Sequence, residues 1–308
     1  MARRYGCFNQ KGGVGKSTVA INFTAALAEE DPDGVYALID WDAQGHSTEG
    51  VGKKEAWSNG EGVNLYHAVM QPSNVAIADI IQEVPGERFF VIPSNFHMMI
   101  AEQELANARN REDRLSDLLD ELDEAFTAIV IDSPSYFGNF TDNVLRAVGI
   151  PYILKSKSDP SSKVLQPRRP EHMHNGLIVP VQAEQTSVRA LELLINQVQV
   201  VGLDLKVDVN LWAIVPNMVQ ESRLARNILN DFRATLSDKM TDFDIPKRVC
   251  IQEAYAEGKS IFTYEPKDRN GRVDRAKMKD VTELRNLYSQ LAALTMERSG
   301  LRDTARIN

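Results

Sequence analysis

The 308-residue sequence is poor in cysteine, in long apolar runs and in internal repetition. Its two cysteines, Cys7 and Cys250, lie in apolar surroundings without Cys-x-x-Cys spacing. That excludes a disulfide framework and points to small buried residues in a reducing compartment. No apolar stretch approaches the roughly 20 residues that a membrane span needs. Met1-Ala-Arg-Arg leads directly into an apolar segment, leaving no room for a targeting core, so a cytoplasmic protein is expected. Positive charge is also in deficit: 35 Lys and Arg stand against 43 Asp and Glu, a net charge of −8. Any contact with nucleic acid therefore needs a local basic face, since bulk attraction is ruled out.

What is present is a hydrophobic content of 43%, enough for a large core, and one organising stretch near the start. Tyr5 to Phe8 is a short apolar run suited to a buried strand. Lys11-Gly12-Gly13-Val14-Gly15-Lys16-Ser17-Thr18 follows it, and Ser17 to Glu29 carries a helical apolar pattern. Strand, glycine-rich loop and helix in that order form the context in which a phosphate-binding loop is expected. Glycines let backbone N–H groups approach phosphate, and the helix start adds positive potential. Lys16 is placed for the β and γ phosphate oxygens of ATP, and the Ser17 hydroxyl for Mg²⁺. Lys11, five residues before Lys16, is a like charge that makes sense only with an anion between or across from the two.

Two further strand ends carry carboxylates. Val35 to Ile39 reads as a strand ending in Asp40-Trp41-Asp42-Ala43-Gln44-Gly45-His46-Ser47-Thr48, and Ala128 to Ile131 as one ending in Asp132. Both fall on the ligand-binding edge of an open parallel sheet. Asp132 is expected to hold Mg²⁺ through water, although an acid after a strand, Asp40 above all, also caps the next helix.

These residues resemble the ParA/MinD family of ATPases with a deviant Walker A loop, over nearly the whole chain from Tyr5 to about Ala293. The resemblance implies that Lys11 reaches the nucleotide of a partner subunit, that Lys16 and the loop hold ATP, and that Asp42 positions the attacking water beside Asp40. It implies that Asn217 reads adenine and that the backbone at Pro246 and Lys247 lines it. Ala43 stands where the family carries proline, and His46 where it carries asparagine, so the stiffness of that switch is expected to differ.

The implied fold is α/β: a single doubly wound, mainly parallel sheet with helices on both faces, a P-loop NTPase of the SIMIBI type. One ATPase domain is expected over residues 1–308, with a basic insertion at about 151–176. Tyr152 to Lys155 and Lys163 to Gln166 read as a small hairpin within the insertion, at the edge of the sheet opposite the P-loop. Lys155, Lys157, Lys163, Arg168 and Arg169 make it basic; His172 and His174 alone are too few for a metal site. Residues 53 to 64 read as a loop, and helices are expected over Ser187 to Gln199, Ser222 to Leu236 and Val281 to Met296, the last with Leu284, Leu287, Leu291 and Leu294 inward.

Among relatives, iron–sulfur members need cysteine ligands that Cys7 and Cys250 do not supply. The tail Met296 to Asn308 lacks a basic amphipathic pattern, so no membrane anchor is expected. One P-loop excludes the two-loop arsenite pumps. The resemblance is thus to Soj-type partition ATPases, which implies a homodimer when ATP-bound, non-specific DNA binding, a small basic centromere-binding adaptor and association with the nucleoid. MinD-like or cargo-positioning ATPases and P-loop metabolic ligases or kinases are the alternatives. Candidate DNA contacts are Arg269, Arg272 and Arg275, among lysines before the last helix, with Arg189, Arg223 and Arg226 at helix starts.

Overall fold

The computed structural model describes residues 1–59, 62–156, 159–184, 187–236 and 238–301. Lys157 of the insertion and the tail beyond residue 301 lie outside them. In chain order the first half comprises β1 (Arg3–Cys7), α1 (Lys16–Glu30), β2 (Tyr36–Asp40), α2 (His46–Gly50), α3 (Lys54–Ser58), α4 (Leu65–Met70), β3 (Gln82–Glu83), β4 (Phe89–Ile92), α5 (Met98–Leu105), α6 (Arg114–Leu122) and β5 (Ala128–Asp132). The second half adds α7 (Asn139–Val148), β6 (Ile150–Leu154), β7 (Lys163–Leu165), β8 (Gly176–Val181), α8 (Ser187–Leu205), β9 (Val207–Asp208), β10 (Leu211–Pro216), α9 (Arg223–Leu236), α10 (Val249–Ala256) and α11 (Arg275–Arg298).

A seven-stranded sheet runs β10-β8-β1-β5-β2-β4-β3, parallel except for the short β3 at one edge. β1 and β5 are buried along their length, as strands covered on both faces must be. One face of the sheet packs a core containing Phe8, Ile39, Trp41, Leu119 and Phe140; the other packs Tyr5, Phe23, Leu38, Tyr288 and Leu291. The doubly wound, mainly parallel α/β sheet read from the sequence is therefore present.

β1 starts two residues earlier than the apolar run suggests. Arg4 is fully buried, and its guanidinium reaches Asp120 at 2.6 Å and Asp123 at 3.0 Å on and after α6. A paired arginine can occupy a buried strand position that its charge alone would forbid.

The insertion forms the expected hairpin, β6 antiparallel to β7, and β9 joins β6 to complete a three-stranded sheet. Its arginines turn inward onto acidic neighbours. Arg168 meets Asp117 at 3.0 Å and Asp120 at 2.8 Å, and Arg169 meets Asp123 at 3.4 Å. Lys163 pairs with Asp208 at 2.9 Å. The basic character of the insertion is thus largely neutralised by the body of the protein.

Other expectations shift. Residues 53 to 64 contain α3, α8 runs six residues beyond Gln199, and α10 adds a helix directly after Arg248. The last helix begins at Arg275, because Asp274 caps it by accepting from the N–H groups of Ala276 and Lys277. Tyr288, not Leu287, takes the buried position between Leu284 and Leu291, and Leu294 is also only half-buried.

α11 lies against α1, which carries the P-loop at its start. Leu291→Ala should therefore cost about 2–5 kcal/mol, read as a lowered urea midpoint. Leu287→Ala should cost under about 1 kcal/mol in the same measurement.

Candidate active site

Register brings the site together. Asp132 at the end of β5 pairs with Cys7 of β1 on one side and with Asp40 of β2 on the other. The loops that follow β1, β2, β5, β8 and β10 therefore open at one edge of the sheet, on both sides of β1, where the strand order reverses.

The P-loop is braced from three directions. Asn9 donates to the Pro180 carbonyl at 2.8 Å and accepts from the Lys11 amide at 2.9 Å. Gln182 donates to the Gly13 carbonyl at 3.1 Å, and Asn217 to the Val14 carbonyl at 2.8 Å. Gly15 has φ +85°, and a Cβ there would lie 2.5 Å from the Asn217 amide nitrogen, so only glycine fits. Lys16 is 7% exposed and donates to the Ser135 hydroxyl at 2.8 Å. Burial lowers its pKa, against the opposing pull of Asp132 and Asp42.

Asp132 is fully buried. Its Oδ2 accepts from the Ser47 hydroxyl at 2.5 Å. The Ser17 hydroxyl lies near the same carboxylate, yet Oδ1 has no sound hydrogen bond among the described residues. A buried carboxylate oxygen without a partner, beside a hydroxyl and at the foot of a phosphate loop, is a fitting seat for Mg²⁺. Burial pushes the Asp132 carboxyl up to about 6, with the two serine hydroxyls opposing.

Asp40 is equally buried, and burial followed by the charge of Asp132 raises its pKa well above the usual range. Its Oδ2 accepts from both the N–H and the hydroxyl of Thr48 at 2.7 Å, and its Oδ1 from the Asp42 amide at 3.3 Å. These contacts make Asp40 a brace for the start of α2 and for the turn at Asp42. Asp42 is 6% exposed; its Oδ1 accepts from the Gln44 amide at 2.9 Å, and its carbonyl accepts from the Ser94 hydroxyl at 2.8 Å.

Lys11 stands apart from this buried set. Its ammonium pairs with Glu184 at 2.5 Å, and both side chains are substantially exposed, 35% and 54%. Pro246 and Lys247 run beside the end of β10, where the Lys247 amide donates to the Val219 carbonyl at 3.0 Å. Next to them a cleft of about 330 Å³ is lined by Gln182, Glu184, Met218, Gln220 and Lys247. Met218 adopts φ +54°, a left-handed backbone unusual for a methionine, at the junction of this cleft and the P-loop.

The candidate DNA residues lie on exposed elements. Arg189 is on α8 and Arg223 and Arg226 open the neighbouring α9; Arg269 and Arg272 flank a turn and Arg275 begins α11. Among the described residues none of the six joins an ion pair with an acid, whereas Arg248 pairs with Asp280 and Glu283, and Lys277 with Glu253.

Residues that the sequence reading does not single out are Asn9, Ser135, Gln182 and Glu184, which touch the loop, and Trp57, which touches the turn after Asp42. Asn9 and Ser135 sit beside the motif residues without a task in the motif, and only the fold brings Gln182, Glu184 and Trp57 to the site. The one group of His, Cys, Asp or Glu close enough to hold a metal among the described residues is Asp120, Asp123 and His172. Arg4, Arg168 and Arg169 already neutralise it, so it reads as an ion-pair network that clamps the insertion.

The raised Asp132 carboxyl has a consequence for stability. Folding favours its neutral form, so its contribution is full below pH ~4 and is lost as pH rises through about 6. Nucleotide-free protein should lose about 2 kcal/mol between pH 4 and 7 relative to Asp132→Asn, measured by urea unfolding at each pH. A parallel pH dependence in the two proteins would refute this origin.

Comparison with known proteins agrees with the geometry. A protein-family model described as "AAA domain" matches residues 3–156. The chain is 29% identical over 266 residues to the sporulation initiation inhibitor protein Soj of Bacillus subtilis (strain 168), covering 86% of this chain and 92% of that one. It is 27% identical over 262 residues to the chromosome partitioning protein ParA of Myxococcus xanthus (strain DK1622), covering 85% and 81%. The ATP complex of a single-residue variant of Cyanothece McdA superposes with a TM-score of 0.70 at 16% identity, covering 97% and 96%, a likeness of fold. The chain belongs to the family matched by the AAA-domain model, within its ParA/MinD group of P-loop ATPases.

Proposed function

We propose that this chain is a ParA-type switch ATPase that dimerises with ATP, binds DNA non-specifically in that state, and segregates or positions DNA with stimulation by a small basic adaptor protein. The observation that carries the reading is the division of the two P-loop lysines. Lys16 is buried against Asp132 and Ser135, while Lys11 is partly exposed and, among the described residues, pairs with an exposed glutamate. A lysine so placed is available to a second subunit; one working within its own site would be expected to sit inside it. The names of the relatives, a chromosome partitioning protein among them, support the same reading.

In this reading the whole chain acts as one ATPase domain with the insertion as a clamped appendage. Bound Mg²⁺ would supply the charge that neutralises the β and γ phosphates of ATP, held by Ser17 and by the free oxygen of Asp132. Residues 12 to 18 offer backbone N–H groups to phosphate, and Lys16 offsets charge on the leaving and transferred groups. Asp42 orients a water for in-line attack, with Asp40 fixing the turn that carries it. Lys247 lines the adjacent cleft, and with Asn217 and Pro246 at its margin that cleft is the place for adenine.

DNA binding in this reading needs ATP, because only a dimer doubles the basic surface. Affinity should fall steeply with salt, as phosphate contacts displace counterions. The double charge reversal Arg269→Glu with Arg272→Glu should weaken DNA binding at least tenfold, by about 1.4 kcal/mol or more, with basal ATP turnover unchanged. A gel shift equally strong in ADP, or indifferent to salt, would count against the reading.

The trans role of Lys11 has a direct test. Lys11→Ala and Asp42→Ala should each be nearly inactive alone. In a mixed dimer one site lacks both groups and the other keeps both, so mixing should restore turnover to roughly a quarter of wild type, given random exchange and independent sites. No recovery, with subunit exchange verified, would mean that Lys11 works within its own subunit.

A further inference from the structure

We infer that Trp57 is a positioning residue for the Asp42 carboxylate, holding the turn after β2 in the shape that hydrolysis requires. The inference rests on the role given to Asp42 above and adds a residue that no motif marks.

The turn from Asp42 to Gly45 has two backbone carbonyls that are each held by one donor from outside the turn. The Asp42 carbonyl accepts from the Ser94 hydroxyl at 2.8 Å, and the Ala43 carbonyl accepts from the Trp57 indole N–H at 3.0 Å. The Trp57 ring also covers Gly45. A Cβ built on Gly45 would lie 2.1 Å from the ring, so the indole rests directly on that Cα. Gly45 has φ +69° and opens α2, whose Ser47 and Thr48 hold Asp132 and Asp40. One side chain therefore fixes both the peptide that follows Asp42 and the glycine from which the other two carboxylates are braced.

The helix that carries Trp57 is tied to the same support as Ser94. The Phe96 amide donates to the Trp57 carbonyl at 3.1 Å, and the Asn95 side chain donates to the Ala56 and Asn59 carbonyls. Turn, indole and the Ser94–Phe96 segment thus form a closed loop of hydrogen bonds around Asp42. Trp57 is half-buried at the surface and belongs to neither main core, so its packing is committed to the turn. Without the indole, Ala43 and Gly45 would be free to rotate, and the direction of the Asp42 carboxylate with them.

The experiment compares Trp57→Phe, and 3-benzothienylalanine placed at position 57, with wild type, each with Asp42 intact and with Asp42→Ala. Benzothienylalanine keeps the two-ring shape and loses only the N–H, so it remains informative where phenylalanine disturbs folding. With Asp42 intact, kcat for ATP should fall about tenfold, and the Kd for ATP should stay within about twofold. On the Asp42→Ala background, the residual single-turnover rate should change by less than about twofold, because the group being positioned is gone. Full kcat in both position-57 variants, or an equal fold loss on both backgrounds, overturns the inference. Wild-type turnover by Asp42→Ala itself would remove the role of Asp42 as well, so the two failures are distinguishable.

Discussion

The structure turns on two buried carboxylates on adjacent strands. Register places Asp132 opposite Asp40, and both are fully buried. Burial raises the pKa of both, the charge of Asp132 raises that of Asp40 further, and both effects oppose folding with the pair ionised. Thr48 answers one of them with two hydrogen bonds and Ser47 the other with one, while Lys16 supplies the compensating charge. One Asp132 oxygen remains unanswered among the described residues. The P-loop, the start of α2 and the switch turn are arranged around that deficit, which a divalent cation is suited to fill.

How much of this is legible in the sequence depends on how local the cause is. The P-loop, both strand-end aspartates and most elements are readable because glycine spacing, apolar runs and helical periodicity are short-range signals. β2, β5 and α9 fall within a residue of where the pattern places them. Misreadings share a cause in tertiary pairing. Arg3 and Arg4 read as a polar leader, but aspartates more than a hundred residues away let Arg4 enter β1. The stretch at 53 to 64 reads as a loop on composition, yet it contains α3, which the Asn95 side chain and the Phe96 amide anchor.

At the site, the sequence points to candidate residues but not to the contacts each one makes. Asp40 pairs with Asp42 as catalytic in the motif, whereas its oxygens are engaged by Thr48 and a backbone amide. Ala43 in place of the family's proline implies a switch of different stiffness; the hydrogen bond from Trp57 to its carbonyl offers stiffness from another source. The basic insertion looks like an exposed patch, yet Arg168 and Arg169 lie on aspartates at and beside α6. Charge counting sees sign and order along the chain, and it cannot see which charges cancel in space.

The central position of β1 has a consequence for how the molecule comes into being. β1 is made first, but its neighbours β5 and β8 begin at residues 128 and 176, and the Tyr5 hydroxyl is bonded to that of Ser299 at 2.6 Å. During synthesis the innermost strand must wait, without its full set of neighbours, for more than half of the chain to emerge. Parallel pairing over such separations closes long loops before contacts reward them, which makes folding slow. A strand left open for that time is also a segment prone to pair wrongly with another chain. The placement that gives the nucleotide loop its rigid seat thus makes biosynthesis the most exposed moment in the life of this protein.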